Sequence, residues 1–201
     1  DLTRTLHLPH TPSPAQTPAS NPAMLAALVV EAGGIPVALG VAPDDALAIA
    51  AAVRGGAWDL LLTAAGSARG DYDLTRPALE SLGARFAFAR VRMRPGATSA
   101  FALLDDRPVC CLPGSPGAAW VAFHALARAA IQRMLGRPGT VLRVEAASEG
   151  ALEKPIGVTG LFPGRLRGAG GRLRFKRAGA EATALAVVPE AFGGVAAGAP
   201  V

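Results

Sequence analysis

The run Trp58-Asp59-Leu60-Leu61-Leu62-Thr63 reads as a short, continuous apolar strand of the kind buried on both faces. A strand covered on both sides needs helices in front and behind, and the flanking sequence supplies them. Upstream, Pro43-Asp44-Asp45 opens a helix with two carboxylates near the positive end of its dipole, and Gly55-Gly56 closes it. Residues 35–39 predict a strand before that. Ser20-Asn21-Pro22 starts an earlier helix, which ends at Gly33-Gly34. Downstream, a loop of small residues leads through Asp71-Tyr72-Asp73 into a helix that closes at Gly83. Strand-like segments follow near 86–93, 99–104 and 108–112. The last long helix is predicted over 116–135, where Trp120, Phe123, Ala127 and Ile131 recur at helical spacing.

The alternation of helix and strand predicts an α/β fold: a three-layer αβα arrangement with a mostly parallel sheet over residues 19–137. Residues 1–18, punctuated by Pro9, Pro12, Pro14 and Pro18, read as an irregular lead-in. Past Gly136-Arg137-Pro138-Gly139, short alternating segments predict a small C-terminal β domain over 138–201. Examples are Val141-Leu142-Arg143-Val144 and Arg172-Leu173-Arg174-Phe175-Lys176.

Bulk composition narrows the function. The 201 residues carry 20 Lys and Arg against 15 Asp and Glu, a formal charge of +5 with no consecutive basic block. Such a spread charge suits anionic partners in general. An aromatic content of 5% is poor material for base stacking, so nucleic acid is not an expected partner. The two cysteines, Cys110 and Cys111, are adjacent; on a strand they point to opposite faces and would be strained as a bridge. They are expected to be reduced core residues. No apolar run is long enough to span a bilayer and no signal-peptide pattern opens the chain. The expectation is a soluble, cytoplasmic protein with no membrane partner.

Ligands of open α/β sheets bind outside the carboxyl ends of the strands, and two loops are expected there. The first, Thr63-Ala64-Ala65-Gly66-Ser67-Ala68-Arg69-Gly70-Asp71-Tyr72-Asp73, is small enough for a ligand to approach the backbone. Asp71 and Asp73 could hold a hydrated magnesium ion, or they could simply cap the next helix. The second, Leu112-Pro113-Gly114-Ser115-Pro116-Gly117, joins a strand to the long helix. Ser115 suits the N-cap and Pro116 the first helical position, so the helix start can present free N–H groups to an anion or bind nothing. Arg90, Arg92 and Arg94 alternate as they would along one face of a strand, a face that is either simply solvated or meets phosphate through Arg94, which stands before Pro95-Gly96.

In their order and spacing these pieces resemble the molybdopterin molybdenumtransferase family, in its pterin-binding domain and C-terminal β domain. The resemblance is carried by Ser20-Asn21, Gly33, Leu39-Gly40, Pro43-Asp44-Asp45, Asp59, Gly70-Asp71-Tyr72-Asp73, Arg94-Pro95-Gly96 and Leu112-Pro113-Gly114-Ser115-Pro116. In the tail it is carried by Leu185-Ala186-Val187-Val188-Pro189-Glu190 and Gly198. It implies molybdenum cofactor biosynthesis: molybdopterin or adenylylated molybdopterin as partner, magnesium as cofactor, molybdate inserted and AMP released. Asp44 or Asp45, and Asp73, then match acidic residues of the family's active site, with Asp45 and Asp73 taken as the catalytic pair. Gly66, Ser67, Gly70, Arg94, Pro113, Gly114, Ser115 and Pro116 form the substrate-binding set, and Asp71 with Asp73 the metal set.

Several family elements are altered. The GGVS element reads Ala65-Gly66-Ser67-Ala68, the PGKP turn reads Pro95-Gly96-Ala97-Thr98, and the LPGNP asparagine is Ser115. The TGDEL strand and the two N-terminal domains that build the family's dimer do not precede Asp1, which fits a chain that begins just past that strand. A homodimer is an open expectation. The functional expectation is a molybdopterin molybdenumtransferase-like enzyme; the alternative is a non-catalytic molybdopterin-binding carrier, chaperone or sensor.

Overall fold

A computed structural model of the chain describes residues 4–6, 20–64, 74–139, 141–179 and 181–201. The elements run β1 (Arg4–Leu6), α1 (Ser20–Glu31), β2 (Ile35–Val37), α2 (Ala46–Gly55), β3 (Leu61–Ala64), α3 (Thr75–Ser81) and β4 (Arg85–Phe88). Next come β5 (Met93–Arg94), β6 (Ala100–Leu104), β7 (Arg107–Leu112), α4 (Pro116–Ala122), a π turn (Phe123–Ala127) and α5 (Arg128–Met134). The tail holds β8 (Ala147–Ser148), β9 (Leu152–Glu153), β10 (Thr159–Ala169), β11 (Arg172–Arg177), β12 (Ala184–Val188) and β13 (Gly194–Val195). They form two compact units, Asp1–Val91 with Thr98–Thr140, and Arg92–Ala97 with Val141–Val201. No helix among the described residues is long and apolar enough to cross a membrane.

The first unit is built on the apolar run. Leu61 pairs with Val109 and Ala64 with Leu112, so β3 and β7 lie in parallel, and the sheet continues in the order β3-β7-β6-β4. Because alternate side chains face opposite ways, Leu61 and Val109 join Val53 of α2 and Leu79 of α3 in one core. Leu60, Leu62, Cys110 and Leu112 are equally buried, and α1 and α4, which pack together, bring Leu25, Val29 and Val121, with Phe123 following in the π turn. Helices cover both faces, as a three-layer αβα fold requires.

The sheet is mixed where a mostly parallel one is expected. Asp105 and Asp106, at φ 50° and 60°, form a two-residue turn between β6 and β7, and a connection this short can join only antiparallel strands. The lead-in also differs from the irregular stretch expected over 1–18, because Arg4–Leu6 forms a strand parallel to β2. Helix α1 ends as its glycines predict. Gly33 adopts φ 89° and the N–H of Gly34 reaches back to the carbonyl of Val29 at 2.8 Å, satisfying the last turn. Neither cysteine forms a disulfide, as expected. Burial pushes the Cys110 thiol up to about 12, with its neighbour Cys111 adding to the effect.

The predicted long helix over 116–135 is continuous but contains the π turn, and His124 lies in it. Its ring sits 4.2 Å from that of Trp120 and 5.7 Å from that of Phe123, centre to centre.

In the second unit β10 is central, with β12 and β11 on either side, β8 beyond β11, and β5 pairing in parallel with its start. Leu152, Phe162, Phe175 and Val188 fill the core. A Cβ at Gly164 would meet the Phe175 ring at 2.3 Å and the Lys176 carbonyl at 2.4 Å, so only glycine lets the strands close there. Two expectations fail in this region. Residues 141–144 form no strand despite their alternation, and Val141 and Leu142 are exposed with no partner strand to cover them. The predicted strand over 86–93 stops at Phe88, so Arg90, Arg92 and Arg94 do not share one strand face; Arg92 lies 3.8 Å from Glu190 instead.

The environment of His124 yields a pH prediction. Burial, and then the Arg128 charge, lower its pKa below the ordinary 6.5. The unfolded chain therefore takes up the proton first, so stability is fullest above pH 6.5 and declines as pH falls through it toward the lowered folded value. Urea unfolding measured on either side of this value should show that decline, and His124→Leu should remove that component.

Candidate functional site

The register of β3 and β7 locates the site. With Ala64 opposite Leu112, both strands deliver the chain to the same end of the sheet. Pro113, Gly114, Ser115 and Pro116 follow one strand there; residues 65–73 follow the other. Asn21, in the first turn of α1, reaches the same place: its Nδ2 donates to the Gly114 carbonyl at 2.6 Å and ties the helix start to the loop.

Three buried polar atoms near this end have no hydrogen-bond partner among the described residues: Asn21 Oδ1, Thr63 Oγ1 and Ser99 Oγ. Thr63 pairs in register with Cys111. On the other side of β7, Cys111 pairs with Ala100, so Ser99 lies one step further out at the same end. An unpartnered buried polar group costs about 1–3 kcal/mol, and three at one strand end mark a place suited to a polar ligand.

The loop itself is half-prepared for an anion. Pro113 is buried, whereas Ser115 and Pro116 are exposed. Ser115 occupies the N-cap position in extended conformation with Pro116 following, but its hydroxyl makes no capping bond. The expected cap is therefore geometric only, and the hydroxyl remains free. The first bond of the helix runs from the Ala119 N–H to the Ser115 carbonyl at 2.9 Å, leaving the amides of Gly117 and Ala118 outside the ladder.

The remaining predicted residues divide. Gly66, Ser67, Gly70, Asp71 and Asp73 lie outside the described residues. Asp45 caps α2: its two carboxylate oxygens accept from the N–H groups of Leu47 at 3.3 Å and Ala48 at 3.1 Å. Arg94 belongs to the second unit, where it is exposed and pairs in β5 with Gly160 of β10; the bond to Pro95 is cis. The structure thus brings Pro113, Gly114, Ser115 and Pro116 together with the end of β3, and it does not join Arg94 to that unit. Among the described residues no group of three or more His, Cys, Asp or Glu could hold a metal ion. Sequence reasoning missed Asn21 as a clamp and Thr63 and Ser99 as buried polar groups. The only signal for Thr63 was a hydroxyl closing an otherwise apolar strand.

In open α/β sheets ligands bind outside the carboxyl ends of the strands, which is where this polar opening lies. The chain belongs to the family described as "Probable molybdopterin binding domain", which matches residues 5–133. It is 36% identical over 118 residues to the molybdopterin molybdenumtransferase of Bacillus subtilis, covering 58% of this chain and 27% of that one. It is 33% identical over 138 residues to molybdopterin molybdenumtransferase 2 of Mycobacterium tuberculosis, with 65% and 34% covered. A molybdopterin biosynthesis protein from Pyrococcus horikosii shares the fold at a TM-score of 0.83 and 20% identity, over 99% of this chain and 53% of that one. The chain therefore spans about a quarter to a third of the curated relatives it matches.

The capping role of Asp45 is open to a direct check. Asp45→Asn should leave stability close to that of the parent, since asparagine caps nearly as well, whereas Asp45→Ala should cost about 1 kcal/mol in urea unfolding.

Proposed function

We propose that this chain serves molybdenum cofactor biosynthesis by binding molybdopterin, or its adenylylated form, through the pterin phosphate at the loop Pro113-Gly114-Ser115-Pro116. The observation that carries the proposal is the convergence of Asn21, Thr63 and this loop at one strand end, with buried polar atoms that have no partner among the described residues. In this reading the Ser115 hydroxyl and the Gly117 and Ala118 N–H groups donate to phosphate oxygens, aided by the positive end of the helix dipole. Asn21 positions the loop through the Gly114 carbonyl. Magnesium would be held by Asp71 and Asp73 and would neutralise phosphate charge. Asp45 fits that role poorly because both its oxygens are already engaged at the start of α2. Insertion of molybdate with release of AMP, a cytoplasmic location and a homodimeric state complete the transferase reading.

One observation favours the second reading, a non-catalytic carrier, chaperone or sensor for the pterin. Of the two acidic residues expected to act in catalysis, Asp45 and Asp73, the one among the described residues, Asp45, is spent on a helix cap.

AMP release from adenylylated molybdopterin, with and without molybdate and magnesium, separates the two. Release that depends on molybdate is the outcome expected of a transferase. Pterin retained with its AMP intact would assign the carrier role. A chain that fails to bind the pterin at all would contradict both.

A further inference from the structure

The β10–β11 hairpin concentrates positive charge on one face. Its register sets Arg165 opposite Lys176, Arg167 opposite Arg174, and Arg172 opposite Ala169. Directly paired residues share a face, as do alternate residues along a strand, so Arg165, Arg167, Arg172, Arg174 and Lys176 all project from the same side. The opposite side holds Phe175 in the core and sets Arg177 over the Phe162 ring at 5.2 Å.

Compensation on the charged side is partial: exposed Glu149 follows Ser148 of β8 and donates its N–H to the Phe175 carbonyl at 2.8 Å, which sets it beside Lys176 without an ion pair there. Glu181 meets Arg165 at 3.0 Å and its carbonyl accepts from the Arg165 Nε at 2.6 Å. Arg167, Arg172, Arg174 and Lys176 are exposed, and no carboxylate among the described residues pairs with them. Like charges directly opposite one another destabilise a strand pair, so this hairpin carries an electrostatic cost that the folded chain alone does not offset.

We propose that this face is a docking surface for an extended acidic segment of a partner protein. The geometry favours that partner over a small anion. Alternate residues on a strand lie about 6.6 Å apart, so Arg172, Arg174 and Lys176 make a row of cations about 13 Å long, beside the second row at Arg165 and Arg167. A strand-like peptide with carboxylates at alternate residues repeats at the same spacing, whereas one phosphate reaches only a neighbouring pair. A shallow cavity of about 180 Å³ lined by Arg165, Arg167, Lys176, Arg177, Ala178 and Glu181 lies at this end of the face, where an incoming carboxylate would compete with Glu181 for Arg165. Single-stranded nucleic acid fits less well, because the hairpin's two aromatic rings, Phe162 and Phe175, are buried on the other face and no stacking platform accompanies the charges. This surface is independent of the pterin site proposed above.

The test uses the full chain and a fluorescent peptide alternating glutamate and threonine, with a peptide of the same composition in block order and a single-stranded oligonucleotide as comparisons. The alternating peptide should bind best, more weakly as salt rises. The double variant Arg167→Ser/Arg174→Ser should bind it about tenfold more weakly. Because that variant also removes a like-charge pair, its melting temperature should hold or rise, which separates lost binding from lost folding. Glu181→Gln, which removes the carboxylate paired with Arg165, should tighten binding. The proposal is overturned by unchanged affinity in the double variant, by absence of peptide binding at low salt, by equal binding of the block-order peptide, or by tighter binding of the oligonucleotide.

Discussion

The parallel pairing of β3 with β7 is the constraint on which the first unit depends. It buries the apolar run on both faces, and so demands a helical layer on each side. It also sets Ala64 beside Leu112, and thereby brings two chain segments out at one edge of the sheet. A rigid sheet that delivers adjacent loops to one edge is how α/β proteins build ligand sites without a dedicated pocket domain. Shifting the pairing by one residue would turn Thr63 and Cys111 to the opposite face and dismantle both the core and the site.

Around this pairing the polar groups divide into those that organise the structure and those that remain available. Asn21 spends its Nδ2 on the Gly114 carbonyl and keeps its Oδ1. Asp45 spends both carboxylate oxygens on the first turn of α2. Ser115 stands at a helix start yet spends nothing on it. In the proposed reading, recognition of phosphate falls to backbone amides and the Ser115 hydroxyl, and no general acid or base stands among the described residues at this edge. That distribution explains why binding follows from the structure more directly than turnover does.

Much of this was legible in the sequence, for identifiable reasons. The continuous run from Leu60 to Leu62, the glycine stops and the Pro116 helix start are local signals, and each marks an element that forms. Membership of the molybdopterin-binding family was legible in the ordered set of short motifs. Less legible was whatever depends on partners distant in the chain. The Asp105-Asp106 turn reverses a strand that periodicity alone cannot orient. Val141 and Leu142 alternate like a strand but find none to pair with. Arg94 sits near the site elements in sequence, yet it pairs in register with Gly160 of the second unit. Asn21 could be read as a cap, but its bond to a residue 93 positions away could not.

The central claim is that a phosphorylated pterin meets this chain at the carboxyl ends of β3 and β7. It is tested most directly by following backbone and side-chain amide resonances of the isotope-labelled chain as molybdopterin is added. The account predicts the largest shifts at the Asn21 side-chain amide and at the backbone amides of Ala64, Gly114, Ser115, Gly117 and Ala118. Shifts confined to β10 and β11, with those resonances unmoved at saturating pterin, would contradict it.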